Sequence, residues 1–349
     1  MGLLVGLSGC ATVGWYGQAV RGQMEILTQR EDIEQLLADP DTPKDKRRAL
    51  ALALEIRQFA SDTLALPDNR SYTQYVDLGR EAVVWNVVAV PAFDLQPKRW
   101  CYPIVGCLSY RGYFRQDRAQ ALAESLAAQG YDTAVFPVPA YSTLGRFADP
   151  VLNTMLGWDD ARLAGLIFHE LAHQRLFVRG DTDFNESYAT FVEIAGIERW
   201  LDQRSDQEAL RQWRQSQVIA QAFTELLLAT RQDLIETYRL ELEQAAMESR
   251  KAETFAALQK RYHRFRQAHG DQRYDAWMNR DLNNAHLAMV ATYQAGVDAF
   301  AALFEKTDRD FATFHRIADC IGRQPESTRD GFLASARIPD ECGLGGLTP

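Results

Sequence analysis

The reading turns on residues 159–193, DDARLAGLIFHELAHQRLFVRGDTDFNESYATFVE. Leu163, Leu166, Ile167 and Leu171 recur at helical spacing and give the first half an apolar side, and Asp159 or Asp160 can start the helix. On that helix His169 and His173 stand four residues apart on one face, so both imidazoles can reach a single metal ion. Neutral imidazole suits zinc, and two such ligands leave positions for a third ligand and a water. One Zn2+ ion is therefore expected, with Glu170, beside the first histidine, as general base toward that water.

A third ligand has to come from further along. In the extended motif H-E-x-x-H-x-x-G-x-x-H, the positions of Gly and the third His are here Leu176 and Arg179, which excludes that pattern. The Arg179-Gly180-Asp181 break lets the chain turn, and a second helix beginning near Asp183 would return Glu186 toward the histidines. Asp183-x-x-Glu186 also has the form of a capping box, in which Glu186 would only cap that helix. Glu193, seven residues on and on the same face, could accept a hydrogen bond from a ligand imidazole.

Downstream, the 73 residues between Gly196 and Gly270 contain neither Gly nor Pro. As one helix they would extend roughly 110 Å, so a break is expected, with a restart at Ser205-Asp206-Gln207-Glu208. Ile219, Ala222, Phe223, Leu226, Leu227, Leu234 and Tyr238 then form an apolar stripe suited to packing on the same domain. Upstream, residues 24–39 and 44–62 have helical periodicity, 82–90 (AVVWNVVAV) reads as a buried strand, and 101–114 as an extended stretch or hairpin. A helix over 116–129 stops at Gly130 and is followed by an extended 131–138 and a loop to Pro150. The fold class is α+β and mainly helical. Residues 11–158 form N-terminal helices and a mixed subdomain with a short sheet, and 159–349 form a helical subdomain with the metal motif and long helices.

With 349 residues, 46% hydrophobic and 24% charged, the composition is globular and excludes disorder and fibrous repeats. A net charge of -9 argues against nucleic acid as a partner, and no apolar run is long enough to span a bilayer. Residues 1–10 end in Leu7-Ser8-Gly9-Cys10, which resembles the end of a truncated bacterial lipoprotein signal, with Cys10 as the lipidated residue. The four remaining cysteines fall into two local pairs, Cys101 with Cys107 and Cys320 with Cys342, read as disulfides of an oxidising compartment. These features imply a lipid-anchored protein facing the periplasm, on the outer membrane.

The segments HELAHQ (169–174) and NESYATFVE (185–193) resemble the zinc site of the gluzincin metallopeptidases, the aminopeptidase N-like enzymes in particular. Over most of its length the chain resembles a family of aminopeptidases found as bacterial lipoproteins, through YRGYF (110–114), AYSTLG (140–145) and Asn283-Asn284-Ala285. The resemblance implies a zincin-like helical part and a zinc peptidase acting on peptides. Glu186 would be third ligand, Tyr293 the phenol that steadies the tetrahedral oxyanion, and His286 a weaker alternative to it. His263 and His315 read as solvated or packing residues.

Two departures bear on specificity. Only thirteen residues separate His173 from Glu186, and the acidic strand that holds a substrate amine in aminopeptidase N is replaced by residues 139–150 (PAYSTLGRFADP). Asp149 and Tyr141 in that loop become the substrate-binding candidates, with Asp181, Asp183, Glu81 and Asp94 as other carboxylates able to meet an ammonium. A zinc endopeptidase, an amidase of another peptide-like substrate, and a non-catalytic lipoprotein scaffold or chaperone are the alternatives.

Overall fold

The computed structural model describes residues 7–102, 106–140, 142, 143, 145–290 and 296–343, with the backbone alone for 7–13. Tyr141 and Tyr293, and the side chain of Cys10, lie outside the described residues. In chain order the elements are α1 (Leu7–Thr28), β1 (Glu31–Asp32), α2 (Ile33–Ala38), α3 (Lys44–Asp62), β2 (Gln74–Val76) and β3 (Val84–Pro91). There follow β4 (Trp100–Tyr102), β5 (Gly106–Leu108), β6 (Arg111–Tyr113), α4 (Gln116–Ala127), β7 (Tyr131–Val138) and β8 (Val151–Leu152). The rest is helical: α5 (Asp160–Arg175), α6 (Thr182–Gln203), α7 (Gln207–Tyr238), α8 (Gln244–His269), α9 (Asp275–Met278), α10 (Asn284–Ala288), α11 (Val297–Lys306), α12 (Phe311–Gly322) and α13 (Glu326–Ser335). The fold is mainly helical α+β. No helix among the described residues is long and apolar enough to cross a membrane.

The expected helix over 24–39 is interrupted, because Glu31 and Asp32 pair with Tyr75 and Gln74 as a strand, and Asp32 then caps α2 at Glu34 N. The Gly- and Pro-free stretch breaks twice. One break follows Gln203, where Ser205 takes a left-handed conformation, and the other separates Tyr238 from Gln244 and leaves Leu240 and Leu242 exposed.

The chain divides into two units, each assembled from three stretches of sequence. The first comprises Met1–Gln23, Val84–Val138 and Arg214–Ala291; the second comprises Met24–Val83, Pro139–Trp213 and Thr292–Pro349. In the first unit β3 is the centre of an antiparallel sheet ordered β6-β3-β7, paired along its whole length with β7 from Val84↔Val138 to Pro91↔Tyr131. Its run of Val87, Val88, Ala89 and Val90 is buried without alternation, as a central strand covered on both faces requires. Ala285 and Ala288 of α10 pack on Val88 and Val90. The stripe of α7 closes on α8 around Phe223, Leu227, Leu234, Leu258 and Tyr262. Cys101 is bonded to Cys107 across the β4–β5 pair.

The second unit has a small sheet, β1-β2-β8, with β2 parallel to β8. Helix α5 packs against α3 and α6 in this unit, and α11 to α13 complete an aromatic core in which Tyr188 and Phe191 of α6 meet Phe300, Phe304 and Phe314. Cys320 is bonded to Cys342.

Candidate metal centre

Helix α5 starts where the Asp159 carboxylate accepts from Arg162 N at 2.9 Å. It buries Leu163, Ile167, Phe168 and Leu171. After α5 the chain turns through Gly180 (φ +85°), and α6 begins with Asp181 as its cap, accepting from Phe184 N at 3.0 Å. Asp181 also receives Arg329 at 2.5 Å. Asn185 pins the turn from within α6, its amide bonding both the N–H and the C=O of Val178 at 2.7 and 2.8 Å. Capping therefore falls to Asp181, and the Asp183/Glu186 box does not form. The Glu186 carboxylate is turned toward the histidines instead.

Close approach of α5 and α6 depends on two glycines. A Cβ on Gly165 would lie 2.8 Å from Ile197 Cδ1 and 3.1 Å from Glu193 Oε1, and one on Gly196 would lie 2.8 Å from the Phe168 ring. This intimacy brings Glu193 to His169, with Oε2 3.1 Å from Nδ1. A carboxylate can only accept there, so Nδ1 carries a proton and Nε2 is the ring atom left to face the cluster.

His169 Nε2 faces His173 Nε2 at 3.1 Å and Glu186 Oε2 at 3.4 Å, and Glu186 Oε1 is 3.6 Å from His173 Nε2. A tetrahedral ion with ligands about 2.0–2.1 Å away sets them roughly 3.3–3.4 Å apart. The three side chains thus have both the donor chemistry and the spacing to hold a metal ion. Their electrostatics agree. Burial works against the charged ring of His169, but Glu186 and Glu193 outweigh it and raise its proton affinity; burial likewise opposes the Glu186 carboxylate, which the two rings nevertheless hold charged. A cluster that draws positive charge to this point in a buried setting is suited to a cation.

Glu170 stands beside the cluster. Burial pushes its carboxyl upward, His169 and His173 pull it back, and it makes no hydrogen bond to any described residue.

The other candidates are placed as follows. Asp149 is buried in the same unit, accepting from Thr143 N (3.0 Å), Thr143 Oγ1 (2.8 Å) and Ser142 Oγ (3.3 Å), so its oxygens fold the loop 142–149. Asp183 and Glu81 are exposed. Asp94 belongs to the first unit and caps its own loop at Leu95 N and Gln96 N. His286, also in the first unit, closes a capping box with Asn283 at the start of α10. His315 is a packing residue: Nε2 donates to Leu64 O at 2.8 Å and Nδ1 accepts from Tyr188 Oη at 2.7 Å. His263 is exposed on α8.

Sequence reasoning passed over the segment 69–72. Asn69 Nδ2 donates to Gln174 Oε1 at 2.8 Å and Gln174 Nε2 donates to Ser71 Oγ at 3.2 Å, tying this segment to the residue after His173. Tyr72 follows, fully buried. Its only sequence signal was an aromatic residue in a polar, irregular stretch.

Residues 14–333 match the model of a protein family described as "Putative aminopeptidase". The chain belongs to this family. The family is described by a peptidase activity, and among the described residues His169, His173 and Glu186 form a group that could hold a metal ion. No curated protein and no solved structure matches the chain.

Proposed function

We propose that the chain is a zinc-dependent peptidase, an aminopeptidase of gluzincin type, anchored by a lipid on Cys10 and facing the periplasm. The observation that carries the reading is the convergence of two imidazole nitrogens and a carboxylate at 3.1–3.6 Å, next in sequence to a Glu170 with no hydrogen-bond partner among the described residues. Zinc held by His169, His173 and Glu186 would supply Lewis acidity toward a scissile carbonyl and acidify a water. Glu193 keeps the His169 ring in the ligating tautomer. Glu170 takes the proton of the attacking water and passes it to the leaving amine; having no hydrogen bond to the described residues suits it to both steps. The lipid anchor rests on Leu7–Cys10, and the oxidising compartment on the two disulfides.

One observation favours the endopeptidase alternative. The Asp149 carboxylate is occupied by Ser142 and Thr143, which leaves it poorly placed to receive a substrate ammonium. Matched peptides with free and acetylated N-termini separate the two, since equal cleavage of both means that the amine is not read.

The central test combines metal content with turnover. Stoichiometric zinc is expected in the wild type, with large losses in His173→Ala and Glu186→Ala. Glu170→Gln should retain zinc but hydrolyse peptides about a thousand-fold more slowly. Full zinc occupancy in folded Glu186→Ala protein would remove that residue as a ligand.

A further inference from the structure

Seven large apolar side chains are exposed among the described residues, and five of them lie on α1, on α7 or in the link after α7. The other two are aromatic, Phe147 at 46% and Phe177 at 48% exposure, and both border the C-terminal end of α5 in the second unit. Phe177 follows the last residue of α5 by two positions. Phe147 comes to the same end from a loop. Gly145 of that loop takes φ +74°, a conformation that favours glycine, and a Cβ there would lie 3.3 Å from Gln174 Oε1. The loop is thus seated on the Gln174 side chain.

That seat has a definite relation to the chemistry. Gln174 stands four residues after Glu170 within α5, so the two share one face of the helix, a single turn of about 5.4 Å apart. The loop backbone is also fixed. Thr143 N and Oγ1 donate to the buried Asp149 carboxylate at 3.0 and 2.8 Å, Arg146 N donates to Thr143 O at 3.2 Å, and Phe147 N donates to Thr143 Oγ1 at 3.1 Å. Asp149 O accepts in turn from Tyr72 N at 2.6 Å.

A well-bonded backbone therefore holds an aromatic ring in water, where it adds little to the fold but offers apolar area to a ligand. Only two residues separate Phe147 from Gly145, a reach of about 7 Å. With one helical turn more, the ring stands within the length of a few extended residues of a peptide that is cut at Glu170. We infer that Phe147 is a specificity-determining residue, its ring receiving a large apolar side chain of the substrate within a few residues of the bond that is cut. The inference rests on the peptidase reading and adds to it the class of peptide preferred.

The test uses matched peptides of serine and alanine in which a single leucine is moved along the positions on either side of the scissile bond. With the zinc-loaded wild type, leucine at one position should lower KM roughly ten-fold against the leucine-free peptide. Phe147→Ala should cut that advantage to below about two-fold and Phe147→Leu should keep most of it, both with an unchanged thermal midpoint. Calorimetric binding of the same peptides to zinc-loaded Glu170→Gln protein, where turnover is suppressed, should lose the leucine preference in the same way when Phe147→Ala is added. Cleavage by the wild type with no leucine advantage at any position, or an advantage that survives Phe147→Ala, would overturn the inference and leave the peptidase reading intact. A lost advantage accompanied by a lowered thermal midpoint would assign Phe147 a structural role and also overturn it. No cleavage of any peptide by the zinc-loaded wild type would overturn the peptidase reading and this inference together.

Discussion

Two buried polar sites, one around Asn284 in the first unit and one around α5 in the second, are satisfied to different degrees. In the first, Asn284 is inaccessible to solvent and fully engaged: Nδ2 serves Pro91 O, Ala92 O and Asp94 O, Oδ1 accepts from Tyr238, and N donates to Asp132. Asp132 in turn receives Lys251 at 2.5 Å. Around α5 in the second unit, His173 Nδ1 is buried without a hydrogen-bond partner among the described residues, and the half-buried Glu170 carboxylate also has none among them. A satisfied network specifies one arrangement of the backbone, whereas unsatisfied groups cost stability and are retained where something else binds. The Asn283-Asn284 pair thus belongs to architecture, whereas the α5–α6 pair brings together a group that could hold a metal ion.

The largest stability effect should come from breaking the satisfied side. Asn284→Ala removes a side-chain amide with four polar partners in a closed site and is expected to cost about 3 kcal/mol in urea unfolding, above the ordinary range for a single hydrogen bond. Zinc stoichiometry of the remaining folded protein should be unchanged. A change below about 1 kcal/mol would mean that the network is not what holds these strands and loops together.

Acid should strain both units. Each contains a buried neutral histidine, His286 in the first and His315 in the second, pulled by burial from an ordinary 6.5 to about 4. Between those values the unfolded chain takes up a proton that the folded chain refuses, so stability rises with pH. Going down from pH 6.5 toward 4, each site should lose up to about 3 kcal/mol. Urea midpoints measured from pH 7 to 5 check the slope, and His315→Gln should make it shallower. An unchanged slope in that variant would contradict the neutral, doubly bonded state of His315.

The smallest effect sharpens the contrast at the site. Glu193→Ala leaves all three metal-facing atoms in place and removes only the partner of His169 Nδ1. Zinc affinity should fall about ten- to a hundred-fold, measured by competition with a chelator. Unchanged affinity would show that the α5 backbone alone orients the ring.

Much of this molecule is legible in short windows. The spacing of His169 and His173, the strand around Val87 and the stripe of Phe223 and Leu227 all appear as read, because each depends on a periodicity of two or 3.6 residues. Glu186 is different. Its sequence allows a cap or a ligand, and the choice is made by Asp181, which takes the cap and is itself held by Arg329, 148 positions further along.

The sequence by itself therefore determined the mainly helical class, the two histidines on one helical face with Glu170 between them, and the central strand of the first unit. Tertiary structure decided the rest: two units threaded from three stretches each, the glycine-permitted approach that delivers Glu193 and Glu186, and the segment 69–71 anchored to Gln174. Local periodicity constrains residues within a turn or two of one another. The bonds joining residues 69–71 to Gln174 cross more than 100 positions, and they form only when enough apolar surface is buried to offset the entropy of closing so long a loop.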